Sequence, residues 1–150
     1  MARPYKVYKI EDGIVIDHIP NKLAVDVLKV LGLDKEHDGL ITMGVNLASS
    51  KYGKKDVIKI ENKELSAEDL NKIGLIAPEA TINIIKKGEL VNKHIAKVPG
   101  KIKALIKCPN PMCVTRVEKV ESVFYSENKG KKFKCHYCER IFDKKYVSIL

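Results

Sequence analysis

Four cysteines, Cys108, Cys113, Cys135 and Cys138, are the only ones in the 150 residues, and they constrain everything after residue 100. Four residues separate the first pair, 21 lie between the pairs and two separate the last pair. Two close Cys pairs joined by a strand-forming spacer is the spacing of a structural zinc site. Zinc carries no d-electron geometric preference and takes thiolates tetrahedrally at about 2.3 Å. A tight turn aims two sulfurs at one point, and two such turns supply all four ligands. No position then stays open for water or substrate. Cys108-Pro109-Asn110-Pro111-Met112-Cys113 is bent by its prolines and asparagine, and Cys135-His136-Tyr137-Cys138 is a knuckle.

Two disulfides are the competing reading. The start of the chain, Met1-Ala-Arg-Pro-Tyr-Lys6, has no apolar segment of a secretory signal, which predicts a cytoplasmic location where disulfides are rare. A redox Cys-x-x-Cys would not need the second pair. His136 could replace a sulfur, but four thiolates already fill the tetrahedron. Closed coordination assigns the metal, one zinc per chain, to folding. Residues 101–150 are too few to bury a stable core alone, and zinc ligation contributes on the order of 10 kcal/mol to such a domain.

Apolar residues are 45% and charged residues 31%, as in ordinary globular chains, and no apolar run is long enough to cross a membrane. Lys and Arg outnumber Asp and Glu by 28 to 19, which favours anionic partners. The charge is spread along the chain and not gathered in a block, so a solvated surface explains it equally well.

Before the cysteines, two periodicities alternate. Lys6–Ile10 and Ile14–Ile16 read as strands around the Asp12-Gly13 turn. A helix follows Pro20, with Asn21 as its cap, Leu23, Ala24, Val27, Leu28 and Leu31 on one face, and Gly32 as its stop. Leu40–Leu47 reads as a buried strand, 48–55 as a polar loop, and Asp56–Glu61 as an alternating strand. Ser66 with Asp69 marks the start of a second helix, and Pro78 its end. Thr81–Ile85 and Leu90–Lys93 form a hairpin across Lys87-Gly88. This order, β-α-β-β-α-β with an added strand, predicts an α+β, ferredoxin-like N-terminal domain: an antiparallel sheet with two helices on one face. Residues 94–101 read as the joint. Beyond them, strands at 103–107, 117–124, 132–135 and 145–149 predict a small all-β zinc-binding domain.

No catalytic set is apparent: no phosphate loop, no nucleophile elbow, no His-carboxylate metal cluster. Asp17 and His18 are adjacent, so on a regular strand their side chains point to opposite faces. Lys59, Asn83 and Lys93 are polar residues on alternating strands. If these strands are neighbours, the three converge near Asp17 and His18 as a phosphate site, with Asp17 suited to a ribose hydroxyl. A solvated sheet face would carry the same residues.

Several motifs together resemble one family, the regulatory chains of aspartate carbamoyltransferase. They are Gly13-Ile-Val-Ile-Asp17-His18-Ile-Pro20, Ile41-Thr-Met-Gly-Val-Asn46-Leu47, Lys54-Lys-Asp56-Val-Ile-Lys59-Ile-Glu-Asn62, Ala77-Pro78-Glu-Ala-Thr81-Ile-Asn83, and the two cysteine motifs. The resemblance implies a non-catalytic, cytoplasmic subunit of pyrimidine biosynthesis. It divides the chain into an allosteric nucleotide-binding domain at 1–96, a linker at 97–101 and a zinc domain at 102–150. CTP and ATP would bind the first domain, the base being read by the backbone of Val7, Tyr8, Lys9 and Ile10 beside Ile85 and Leu90. Asp17 and Lys59 would lie near the ribose and base edge, and His18, Asn83 and Lys93 toward the phosphates. The zinc domain would dock onto the catalytic chain, with regulatory homodimers bridging catalytic trimers. Ala48-Ser49-Ser50 departs from the family's usual Pro-Ser-Gly, and Gly88 stands where some members carry an aromatic. The alternative is a zinc-ribbon nucleic-acid-binding protein, with Phe124, Tyr125, Phe133 and Tyr137 available to stack on bases. The resemblance implies no nucleic-acid or membrane partner.

Overall fold

The computed structural model describes residues 10–51 and 53–149. The chain divides between Lys97 and Val98 into two compact units. His94 and Ile95 still belong to a strand of the first unit, and Lys101 opens a strand of the second, so the connection is shorter than 94–101.

The first unit runs through strand β1 (Gly13–Pro20), helix α1 (Ala24–Val30), one-turn helix α2 (Leu33–Glu36), strands β2 (Ile41–Ser49) and β3 (Gly53–Glu61), helix α3 (Ala67–Ile76), and strands β4 (Thr81–Lys86) and β5 (Glu89–Ile95). All five strands form one antiparallel sheet in the order β2-β3-β1-β4-β5. This is the ferredoxin-like arrangement with one extra edge strand; α2 is an addition to the two expected helices. Period-two alternation puts Ile14, Ile16, Ile58, Ile60 and Ile82 on one face, each at most 1% exposed. Ala24 and Val27 of α1 and Ile73 of α3 are buried with them. The opposite face carries Val15, Asp17, Lys59, Asn83 and Ile85, all half-buried.

α3 begins as its sequence predicts. Ser66 Oγ accepts from the Asp69 N–H at 3.1 Å, and the Asp69 carboxylate accepts from the Ser66 N–H at 3.1 Å. α1 does not. Its capping position is Leu23, and Asn21 lies before it. The cap comes from across the sheet: Asp56, fully buried on β3, accepts from the Ala24 N–H at 3.1 Å. Gly32, at φ 71°, sits just past the end of α1 in the left-handed region that favours glycine.

β2 departs from expectation more strongly. Among the described residues it is an edge strand paired with β3 alone, and Met43, Val45 and Leu47 are each 40% exposed. An apolar run shows that something covers a strand but not whether the chain's own core does so. The expected polar loop at 48–55 is mostly strand: Ser49 pairs with Gly53 across a tight turn. The expected first strand, at 6–10, lies outside the described residues except for Ile10, which is buried.

The second unit holds β6 (Lys101–Lys103), β7 (Ile106–Lys107), one-turn helix α4 (Val114–Val117), β8 (Val123–Glu127), β9 (Lys132–Cys135), β10 (Ile141–Asp143) and β11 (Ser148–Ile149). Its sheets are β10-β9-β8-β6 and the two-stranded β11-β7. Only 132–135 matches its expected strand closely. Ala104, at φ 59°, breaks 103–107 into two strands, and Val117 belongs to α4. Phe124 and Phe133, 0% and 1% exposed, form the core with Ile102 and Ile106.

Candidate metal centre and nucleotide row

The two turns deliver the cysteines to one point. Cys108 and Cys138 sulfurs lie 3.8 Å apart, those of Cys113 and Cys135 3.7 Å, and all four fall within 4.8 Å of one another. The sulfurs are unbonded to each other. A tetrahedron with zinc–sulfur bonds of about 2.3 Å has edges of about 3.8 Å, so the donor set fits a structural zinc ion. Backbone bonds shape each turn. Asn110, buried, accepts the Cys113 N–H on its carbonyl at 3.1 Å and the Met112 N–H on its side chain at 3.0 Å. The Glu139 N–H donates to the Cys135 carbonyl at 3.0 Å, with Glu139 at φ 60°.

Two supporting residues were not singled out from the sequence. Arg116 donates through Nη1 to the Cys108 carbonyl at 2.8 Å, and Thr115 donates its hydroxyl to Cys113 Sγ at 3.2 Å. Both lie on α4, immediately after the second cysteine, where a helical turn folds back over the first. Burial pushes the Cys108 and Cys135 thiols up. Burial acts the same way on Cys113, but donation from Thr115 outweighs it and draws that thiol down to about 7. A bound divalent cation would favour the thiolate at all four. His136 stays outside the centre: its Nδ1 is 3.1 Å from the Tyr125 hydroxyl, and its ring meets Tyr125 and Tyr137 edge-on.

In the first unit, cross-strand register brings the polar residues together. Lys59 stands opposite Val15, Val15 opposite Asn83, and Asn83 opposite Lys93. Directly opposed residues share a face, so these side chains form one row across four strands of the open face. One step along β1 and β4, Asp17 stands opposite Thr81. One step the other way, Gly13 stands opposite Ile85 and Ile85 opposite Leu90. The three rows span about 14 Å, with an apolar end and a polar end. Ile10 is buried; Val7, Tyr8 and Lys9 lie outside the described residues.

Asp17 and His18 do not diverge as a regular strand would make them. A bulge interrupts the β1–β3 ladder between Ile16 and Ile19, with His18 at φ 56°. His18 Nδ1 therefore lies 3.8 Å from Asp17 Oδ1 and 3.4 Å from Thr81 Oγ1. Lys55 Nζ meets Asp17 Oδ1 at 2.9 Å, and the His18 N–H donates to the same oxygen at 2.6 Å. Partial burial would raise the Asp17 pKa, but these two donors outweigh it and hold the carboxyl below its ordinary value. Lys55 and Thr81 join this cluster of side chains although the sequence did not single them out. Alternation carried a signal for Lys55, which shares the parity of Lys59 on β3.

Comparison with known proteins agrees with this division. The family described as "Aspartate carbamoyltransferase regulatory chain, allosteric domain" matches residues 5–97, and that described as "Aspartate carbamoyltransferase regulatory chain, metal binding domain" matches 100–148. An aspartate carbamoyltransferase regulatory chain of Methanococcus maripaludis is 44% identical over 149 residues, 99% of each chain. Those of Pyrococcus horikoshii and Sulfolobus acidocaldarius are 43% and 46% identical, covering 95% and 94% of this chain and 95% and 87% of their own. These relatives are named for regulation and not for catalysis. The chain, with its separate allosteric and metal-binding units, belongs to the aspartate carbamoyltransferase regulatory chain family.

Proposed function

We propose that the open sheet face of the first unit binds nucleoside triphosphates, CTP and ATP, and that the second unit, folded around one structural zinc ion, passes their effect to an aspartate carbamoyltransferase catalytic chain. The observation that carries this reading is the row of Lys59, Asn83 and Lys93 beside His18, Asp17 and Lys55. Cations and an amide suit phosphate oxygens, a carboxylate suits a ribose hydroxyl, and the apolar Ile85–Leu90 end suits a base. A closed four-thiolate ion supplies folding energy and no chemistry.

Regulation then needs differential affinity. A nucleotide that binds two quaternary states equally shifts neither, so CTP and ATP must each bind one state better than the other. The outer strand β2, with Met43, Val45 and Leu47 each 40% exposed among the described residues, suits a second copy of the chain, as expected for a regulatory homodimer. Exposed Met112, 83% accessible beside the first cysteine turn, suits a protein partner for the metal unit. The nucleic-acid alternative loses Phe124 and Phe133, which are core residues.

The test is to mix the chain with an aspartate carbamoyltransferase catalytic trimer. A larger complex whose aspartate saturation responds to CTP and ATP is expected. A complex indifferent to both, or no complex, defeats the proposal. Lys59→Ala with Lys93→Ala should leave assembly intact and remove the nucleotide response.

A further inference from the structure

We propose that Asp56 is a positioning residue for the nucleotide row: from the opposite face of the sheet it holds the bulge that presents Asp17 and His18. The inference rests on the nucleotide reading of that row.

Lys55 and Asp56 are neighbours on β3, so their side chains leave opposite faces. In register they stand against Pro20 and Ile19, the residues that follow the β1 bulge. Lys55 reaches Asp17 on the open face at 2.9 Å. Asp56 is 0% exposed, and a carboxylate so buried must be satisfied by donors. Its donors come from the chain just beyond the bulge and from β2. They are the Ala24 N–H at 3.1 Å, Asn21 Nδ2 at 3.4 Å and the Asn46 N–H at 3.2 Å. Asn21 also donates through Nδ2 to Asn46 Oδ1. Asn46 is itself a left-handed residue, φ 63°, at the bulge of β2 between Gly44 and Leu47.

The two bulges thus face each other across β3, and one carboxylate ties both. A non-glycine residue in the left-handed region persists only where its surroundings hold it. For His18, Lys55 supplies the hold on one side through Asp17. Asp56 supplies it on the other by fixing Asn21 and Ala24, which end the segment that leaves the bulge. Among the described residues the hydrogen bonds of the Asp56 carboxylate go to Asn21, Ala24 and Asn46 and not to Asp17, His18, Lys59, Asn83 or Lys93, so an effect of its replacement on ligand binding travels through the segments that it ties.

The experiment uses the full chain and two readouts: the ring resonances of His18 in long-range ¹H–¹⁵N spectra, and CTP affinity by calorimetry. Asp56→Asn keeps the shape and puts an amide where three donors converge. It should shift His18, leave His136 of the other unit unmoved, and weaken CTP about tenfold, the equivalent of one charge-assisted hydrogen bond. Asn21→Ala, at a half-buried position, removes part of the same hold without burying an unpaired group. It should move His18 in the same direction with a smaller loss of affinity, and it decides the matter if Asp56→Asn fails to fold. Folded variants with wild-type His18 resonances and wild-type CTP affinity overturn the proposal. If His18 moves in the variants but wild-type protein binds no CTP, the clamp stands and the nucleotide reading falls.

Discussion

Phe124→Ala should lower the metal affinity of the second unit although Phe124 is not a ligand. Phe124 is 0% exposed at the centre of a small core shared with Phe133, Ile102 and Ile106. Truncating a buried phenylalanine costs about 3–5 kcal/mol. A unit this small is close to unfolded without its ion, so binding free energy and folding free energy are one quantity. The core loss then appears as weaker binding, roughly a hundred- to three-thousand-fold at about 1.4 kcal/mol per tenfold. The assay is cobalt titration, followed by thiolate-to-metal charge-transfer absorption, with zinc displacement to obtain the zinc constant. Met112→Ala is the control: it adjoins Cys113 in sequence but is 83% exposed, so its affinity should match wild type. Zinc affinity of Phe124→Ala within about threefold of wild type would refute the reasoning, because the metal-free unit would then be folded on its own core.

Gly74→Ala should destabilise the first unit. A Cβ there would overlap the Lys97 carbonyl oxygen and lie 2.7 Å from the Lys97 carbonyl carbon, both backbone atoms. Overpacking costs about 1–3 kcal/mol and outweighs a helix-propensity gain of up to about 1 kcal/mol, as denaturant unfolding with segment-resolved hydrogen exchange over α3 would measure. Ser66→Ala should cost about 1 kcal/mol, seen as faster exchange at the Asp69 amide, because it removes half of a reciprocal cap. The Asp17 carboxyl is held below its ordinary pKa, so its contribution is fully present above the ordinary carboxylate range and is lost as pH falls through the depressed value. An acid titration of first-unit stability should show a loss below pH about 4, under about 1 kcal/mol for a partly exposed pair, that Asp17→Asn abolishes.

Residues whose meaning is local were legible in the sequence. The cysteine spacing, the Ser66–Asp69 cap, the stop at Gly32 and the alternation of β3 each depend on a few neighbours. Lys59, Asn83 and Lys93 shared a parity that register could turn into a row. The bulge at His18 was not legible, because a non-glycine residue in the left-handed region leaves no local signature. Nor was the cap of α1, which Asp56 supplies from 32 residues away. β2 was misread because its apolar residues announce burial without naming what buries them. In the second unit, strands of two and three residues are set by ligation and pairing, and too little sequence lies in each to show a period.

The Lys55–Asp56 pair places a reading frame on the hairpin that carries it. Gly53 starts β3, and each residue after it faces up or down by count alone. Removing or adding one residue between Gly53 and Lys55 would push an ammonium under the helices and lift the carboxylate into water. Length changes at this hairpin should therefore be tolerated in the tip before Gly53, or in steps of two after it, and nowhere else.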